Sequence, residues 1–158
     1  GVRTQESNLS NVIHDSYVWY AQMWDPSVVI SMSNGSGIRD AIGQILPDES
    51  RRNSEANPGV GKPEGGITQA DVEAALAFNN SLSLIDVTGS ELKTTLEKLT
   101  RLGTSDGDNG AYKIGGFTYS WDPSQSEGER VRNLPLREGN GDPVDFVVED
   151  GVVVFDAK

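Results

Sequence analysis

The order of the periodic segments along the chain is the sequence feature that most restricts its fold. Three stretches, which start near Glu6, Thr68 and Thr88, carry apolar residues at the three- and four-residue steps of a helix. Runs that favour strands separate these helices, and the last part of the chain consists of strand patterns joined by turns. This order predicts an α+β fold, a mixed β-sheet packed with about three to four helices.

The first predicted helix covers residues 6–23, with Ser7 or Asn8 as its cap and Pro26 beyond its end. Its apolar residues form one stripe, which we expect to face the core: Leu9, Val12, Ile13, Tyr17, Tyr20 and Met23 or Trp24. The other two helices begin with capping boxes: Thr68 with Asp71, and Thr88 with Glu91. The third helix also carries a leucine stripe: Leu92, Leu96, Leu99 and Leu102.

Shorter elements lie between these helices. Residues 27–32 are rich in β-branched side chains and predict a strand, and residues 82–87 predict another. A short helical turn is expected at residues 39–45. Residues 47–66 hold several prolines and glycines with mixed charge, so they predict a long surface loop.

The end of the chain is predicted to be β structure. The pair Gly115-Gly116 indicates a strand with a bulge or bend. Pro135 weakens the strand expected at residues 130–136 to an edge or an end. Residues 144–148 and 152–155 form a terminal strand pair around an Asp-Gly turn.

Composition limits the possible functions. The 158 residues suit one domain, residues 1–158. The formal net charge of -11 argues against nucleic-acid binding and against an anionic membrane surface, because both favour basic patches. The sequence has no cysteine, and no stretch approaches the ~20 apolar residues of a membrane span.

The glycine-rich stretch from Ser33 to Arg39 is a candidate ligand site. Gly35 and Gly37 let the backbone bend tightly and approach a ligand closely. Arg39 follows directly, and a guanidinium grips a phosphate or carboxylate with two parallel hydrogen bonds. An ordinary turn at the end of a strand has the same pattern, so the residues alone leave both interpretations open.

Other motifs give no catalytic centre. His14 is the only histidine, and without a second histidine or a cysteine it cannot anchor a usual zinc site, so a surface or packed histidine is expected. Residues 106–110 begin like a calcium loop, but Phe117 stands where the bidentate glutamate belongs. Residues 59–62 lack the glycine spacing and the Ser/Thr of a phosphate loop.

Five motifs, taken together and in order, resemble the C-terminal domain of the 5'-nucleotidase family. The blocks are RTQESNLSN at residues 3–11, NGSGIR at 34–39, GIT at 66–68 with LAFNN at 76–80, LIDVTGSELKTTL at 84–96, and KIGGF at 113–117 with WDP at 121–123. The order of the blocks across nearly the whole chain makes this resemblance more specific than any single motif.

The resemblance implies a substrate-binding site for a nucleotide or nucleoside. Arg3 and Arg39 match arginines on the phosphate or ribose side, Asn34 matches a contact to the base, and Phe78 matches one of two stacking phenylalanines. Two glycines complete the expected site: Gly37 and Gly116. Arg3 as a disordered terminus and Phe78 as a core residue remain the alternatives.

The resemblance also implies an upstream metallophosphoesterase domain, in which two divalent metal ions perform hydrolysis, and a secreted, periplasmic or cell-surface location. We expect no cofactor in this chain and no hydrolysis by it alone. Ser10, Ser36 and Ala77 depart from the family pattern, and the loop at residues 47–64 is longer than usual. The chain is expected to be an excised domain that stops before the last substrate-binding segment. The alternatives are a non-catalytic interaction module of a large extracellular protein, and a relative that acts on another phosphoester.

Overall fold

A computed structural model describes residues 7–102 and 112–155, with the side chains of residues 101 and 102 left out. Within that part of the chain lie three α-helices, eight short strands and two 3-10 turns. The helices are α1 (Asn8–Gln22), α2 (Gln69–Ala75) and α3 (Gly89–Leu102), and the 3-10 turns are Gly35–Gly37 and Pro58–Val60. The strands are β1 (Ser31–Asn34), β2 (Gln44–Ile45), β3 (Arg51–Arg52), β4 (Tyr112–Gly115), β5 (Ser120–Trp121), β6 (Val131–Arg137), β7 (Pro143–Glu149) and β8 (Val152–Val153). The predicted mixed α+β fold is confirmed.

The described residues divide into two compact units. The first unit contains the residues up to Gly35 and those from Leu82 onward, and the second contains residues 36–81. Each unit is described below by itself. The single domain expected for residues 1–158 stays a prediction.

The core of the first unit lies between α3 and an antiparallel sheet with the strand order β5-β6-β7-β8. The sequence supplies this core through the leucines of α3 on one side and apolar residues of β6 and β7 on the other. The buried residues are Leu92, Leu96, Phe117, Val131, Leu134, Val147 and Val148. The capping box of α3 is confirmed, because the Thr88 backbone N–H donates to Glu91 Oε2 at 2.8 Å and Glu91 N–H donates to Thr88 Oγ1 at 3.2 Å.

A buried glutamate ties α3 to the sheet. Glu97 is 4% exposed, and its Oε1 accepts the Val131 backbone N–H at 2.7 Å while its Oε2 accepts the Gly128 N–H at 3.1 Å. These bonds pair backbone N–H groups at the start of β6 that the bonds between strands leave without an acceptor. Glu97 therefore fixes where β6 begins.

Replacing Glu97 with alanine should lower the free energy of unfolding by about 2–3 kcal/mol, because the buried Val131 N–H loses its acceptor. Glu97→Gln keeps a carbonyl oxygen as an acceptor, so its free energy of unfolding should fall less. Lys98→Ala, one residue further on and exposed, is the matched control and should change stability by less than about 0.5 kcal/mol. Urea denaturation of the three variants measures these differences; equal effects at positions 97 and 98 would contradict the structural role of Glu97.

The predicted apolar stripe of α1 is wrong in part. The helix starts as expected, with Ser7 Oγ accepting the Ser10 N–H at 3.3 Å. It packs on β1 and β4 through Ser10, Ile13, His14 and Ala21, however, while four members of the stripe are exposed: Val12, Tyr20, Met23 and Trp24. The close approach of β4 to α1 explains why this face of the helix is buried, since a Cβ on Gly115 would lie 2.9 Å from the backbone carbonyl carbon of His14.

Two strand predictions in the first unit need correction. The strand expected at residues 27–32 begins only at Ser31 and runs to Asn34, because that is the stretch that β4 pairs with. Residues 82–87 form no strand, and no described strand pairs with them; Ile85 is 79% exposed. The apolar pattern of a segment cannot by itself supply a hydrogen-bonding partner.

Pro135 lies inside β6 and not at an edge or an end. Its strand pairs with β5 on one side and β7 on the other, and the register with β7 shifts between Leu134 and Pro135. Proline has no N–H to donate, and an irregular position of this kind tolerates it. The terminal strand pair, β7 and β8, is confirmed, with positive φ at Asp150 and Gly151 in its turn.

The second unit is built around α2 and a two-stranded ribbon, β2 and β3. The capping box of α2 is confirmed: Thr68 Oγ1 accepts the Asp71 N–H at 3.3 Å, and Asp71 Oδ2 accepts the Thr68 N–H at 2.8 Å. The Thr68 backbone N–H, together with the Thr68 hydroxyl, which also donates to Asp71 Oδ2 at 2.8 Å, holds the pKa of the Asp71 carboxyl below its usual range. The helical turn expected at residues 39–45 is wrong, because Gly43 has φ +121 and leads into β2.

Candidate functional site

Asn34 stands at the end of β1 in the first unit. β1 and β4 form an antiparallel pair, in which Asn34 lies opposite Tyr112 and Ser33 lies opposite Lys113. Asn34 and Tyr112 are both exposed. The side-chain amide predicted to contact a base is therefore held on a strand and accessible from solvent.

His14 orients this strand from the α1 side. The ring is buried with 0% exposure, and its Nδ1 lies 2.7 Å from the Ser10 carbonyl oxygen while its Nε2 lies 2.9 Å from Ser33 Oγ. A carbonyl can only accept, so Nδ1 carries the proton and Nε2 accepts from the serine hydroxyl. The expectation of a packed histidine is confirmed, and the ring also fixes the residue next to Asn34.

Burial lowers the pKa of His14 below the ordinary value of 6.5, and the neighbouring charge of Lys113 acts in the same direction. The native state thus favours the neutral ring. Its contribution to stability should be complete above pH 6.5 and should be lost as the pH falls from 6.5 through the folded-state pKa. Because the sequence has one histidine, an NMR titration of that single imidazole measures the value directly. A midpoint at or above 6.5 would contradict this expectation.

Gly116 also lies in the first unit, directly after β4. Its φ is +81, and a Cβ there would come within 1.9 Å of the Val29 carbonyl oxygen. No side chain fits between this turn and the approach to β1. The structure therefore gives Gly116 a packing role, and its predicted contact with a substrate stays a prediction.

Arg39 and Phe78 lie together in the second unit. Two bonds place Arg39: its N–H donates to the Ala75 carbonyl oxygen at the end of α2, at 2.8 Å, and its Nη1 donates to the Ser36 carbonyl oxygen at 3.3 Å. Phe78 follows α2 in a turn closed by the Asn79 N–H, which donates to the Leu76 carbonyl oxygen at 3.2 Å. Asn79 has φ +48, a conformation that asparagine tolerates well.

The guanidinium of Arg39 packs over the ring of Phe78, with Cζ 5.5 Å from the ring centroid. This is cation–π distance. Both side chains are exposed, Phe78 at 58%, so the alternative of Phe78 as a core residue is not what the structure shows. The pair, named here the Arg39–Phe78 pair, presents a positive charge and an aromatic face at one surface position.

The predicted site residues thus fall into three groups. Gly37 is half-buried and belongs to the second unit, as the Arg39–Phe78 pair does. Asn34 and Gly116 belong to the first unit. Arg3 lies outside the described residues, as do the calcium-like stretch and the polar loop at residues 104–110.

Within residues 7–102 and 112–155, no three histidine, aspartate or glutamate side chains converge as a metal site would need. In the same part of the chain, no helix is both long and apolar enough to cross a membrane.

Comparison with known proteins identifies the family. The sequence profile described as 5'-nucleotidase, C-terminal domain, matches residues 1–146. The chain belongs to this family, and the resemblance drawn from the five motifs is confirmed.

Similar proteins support this family assignment. The trifunctional nucleotide phosphoesterase protein YfkN of Bacillus subtilis (strain 168) is 29% identical over 150 residues, which cover 94% of this chain and 9% of that protein. The 5'-nucleotidase of Homo sapiens is 29% identical over 140 residues, 85% of this chain and 21% of that protein. The crystal structure of the 5'-nucleotidase precursor from Thermus thermophilus matches with a TM-score of 0.62 and 30% identity, over 92% of this chain and 24% of that one. This chain spans a quarter or less of each of these proteins.

Proposed function

We propose that this chain binds the nucleotide substrate of a 5'-nucleotidase-type phosphoester hydrolase, with Arg39 and Phe78 as principal contacts. The observation that carries the proposal is the Arg39–Phe78 pair, an exposed guanidinium 5.5 Å from an exposed aromatic ring. A nucleotide offers the two complementary groups, a phosphate for the guanidinium and a planar base for the ring.

The positive charge of Arg39 provides a local site for an anion on an acidic chain. The chain as a whole is strongly acidic, so an anionic ligand is repelled at long range and has to be held by a nearby cation. Arg39 supplies that cation, and its backbone and Nη1 bonds already fix the direction of the side chain. A preordered arginine loses less freedom on binding than a mobile one.

Hydrolysis is proposed for the longer protein in which such a domain acts. In that proposal two divalent metal ions in a preceding metallophosphoesterase domain perform the chemistry, at a secreted, periplasmic or cell-surface location. The residues described in this chain hold no candidate set of metal ligands, so no chemical step is assigned to them. Their part is to bind and orient the substrate.

Titration calorimetry with AMP, adenosine and inorganic phosphate tests the proposal. AMP should bind saturably, and Arg39→Ala should weaken AMP binding about 10- to 150-fold, because a hydrogen bond to a charged group is worth about 1.5–3 kcal/mol. The affinity for adenosine, which has no phosphate, should fall less than the affinity for AMP. Arg51→Ala, an exposed arginine of the same unit, is the control and should leave AMP binding unchanged. Absence of saturable binding by AMP and adenosine would overturn the proposal and favour an interaction module.

A further inference from the structure

Residues 82–87 are an exposed segment of the first unit whose backbone makes no hydrogen bonds to the described residues. None of its six N–H groups donates to a backbone carbonyl, and none of its six carbonyl oxygens accepts a backbone N–H. The nearest bonds lie outside it, from Asn79 N–H before the segment and to the Thr88 carbonyl oxygen after it. Each of these residues carries one donor and one acceptor, so a continuous row of both is left to water.

The segment is held at one end by the core of the first unit. Val87 packs against the buried cluster between α3 and the sheet. Two residues further on, Gly89 opens α3 so close to the end of β8 that a Cβ there would lie 2.0 Å from the Phe155 carbonyl oxygen. The unpaired backbone therefore starts from a fixed point near β8, the edge strand of the sheet.

The side chains of this segment are those of a strand that is normally covered. Leu82, Leu84 and Ile85 are 43%, 51% and 79% exposed, and Asp86 is the only charged residue from 82 to 87. Segments with high β propensity, little charge and no proline pair readily with other strands, and native proteins cover them. Water satisfies the backbone groups of the segment but leaves its apolar side chains exposed, which costs free energy.

We propose that residues 82–87 are a docking site for one β-strand of the longer protein, which pairs with this segment by strand addition. A continuous row of N–H and carbonyl groups is matched by another extended backbone about 4.7–4.9 Å away. The docking strand should carry apolar residues at alternate positions, because side chains directly opposite each other on paired strands pack together. This docking is separate from nucleotide binding and uses none of the residues assigned to it.

Charge and size favour a strand of the same protein over a second copy of this chain. The formal net charge of -11 makes two copies repel each other. Separate molecules usually bury about 1,200–2,000 Å² in a stable complex, and one pairing of six residues is a short contact by that measure. A strand in the same protein is held at a high effective concentration, so a short contact suffices. Because this chain spans only 9% to 24% of the relatives named above, proteins of this kind contain further chain to supply that strand.

Hydrogen exchange, measured on the longer protein and on this chain alone, tests the proposal. In this chain alone, the amides of residues 82–87 should exchange within about tenfold of the rate in an unfolded peptide of the same sequence, because no backbone acceptor protects them. In the longer protein the same amides should exchange more than about 100-fold more slowly. The amide of Val148, in a buried strand paired on both sides, should be protected in both and is the internal control.

Proline variants show whether backbone pairing causes the protection. Neighbouring N–H groups of a strand point to opposite edges, so either Ser83→Pro or Leu84→Pro removes a donor that faces the docking strand. At least one of the two should abolish the protection in the longer protein. Both should leave the urea midpoint of this chain alone nearly unchanged, because neither N–H has a backbone acceptor there. Ser83→Ala keeps the N–H, so this matched control should retain the protection.

Three results would overturn the proposal. The first is equally fast exchange of the segment in this chain and in the longer protein. The second is protection in this chain alone that grows with its concentration and accompanies a dimer mass in light scattering, since a second copy would then supply the strand. The third is protection that survives both proline variants. Calorimetry with AMP tests the proposed function separately, so either proposal can fail while the other stands.

Discussion

Replacing Gly116 with alanine should lower the free energy of unfolding by more than about 3 kcal/mol, because two costs combine at this position. A φ of +81 disfavours any residue with a Cβ, by about 1–2 kcal/mol. The added methyl group would also lie 1.9 Å from the Val29 carbonyl oxygen, a backbone atom that can move away only by displacing the segment that leads into β1. Urea denaturation measures the loss, and failure to fold is the extreme of the same expectation.

A second glycine separates these two costs. Gly141 has φ +87, nearly that of Gly116, but nothing lies within 4 Å of the Cβ that alanine would add. Gly141→Ala should therefore cost only the backbone strain, about 1–2 kcal/mol. Equal losses at positions 116 and 141 would show that the contact with Val29 is unimportant and that the packing role assigned to Gly116 is wrong.

Replacing Phe78 with alanine should weaken adenosine and AMP about 5- to 150-fold and leave inorganic phosphate unchanged, because a stacking contact is worth about 1–3 kcal/mol. The effect on stability should be small, since the ring is 58% exposed. Calorimetry measures the affinities, and urea denaturation shows that the variant is folded. Ile67→Ala, at a 62% exposed apolar residue of the same unit, is the matched control and should bind as the original chain does.

The Phe78 prediction fails if position 67 matters as much as position 78, or if neither change affects adenosine. A double-mutant cycle adds detail: Arg39 and Phe78 should show a coupling of about 0.5–1 kcal/mol in stability, the usual value for an exposed cation–π pair. A coupling near zero would mean that the two side chains are neighbours without a stabilising contact.

Structural features that depend on a few adjacent residues could be predicted well from the sequence. The capping boxes of α2 and α3 join residues three apart, so the pattern in the sequence contains both partners of each bond. The turn between β7 and β8 is similar, because the Asp-Gly dipeptide adopts positive φ readily. In these places local chemistry determines the structure.

Features that depend on distant partners could not be predicted. The buried face of α1 is set by its close approach to Gly115, which admits Ser10 and His14 and leaves Val12 and Tyr20 exposed. The apolar pattern of residues 82–87 suits a strand, but a strand forms only where another strand offers its backbone groups. Both errors come from reading a pattern without knowing what lies opposite it.

The candidate site shows the same division. Family motifs single out Arg39 and Phe78, but their contact depends on the bond from Arg39 N–H to the Ala75 carbonyl oxygen, which joins distant parts of the chain. A motif also singles out Asn34, but only the register of β1 with β4 places it opposite Tyr112. Register is set by pairing across the sheet, so the sequence of one strand does not contain it.

The most direct test of the central claim is an NMR titration of the isotope-labelled chain with AMP, following the backbone and side-chain signals of Arg39 and Phe78. We predict saturable shifts at both residues with one common midpoint, and loss of the Arg39 shift in Phe78→Ala or a clear rise in its midpoint. AMP that shifts neither residue at millimolar concentration, or that shifts only residues outside the proposed contacts, would contradict the account.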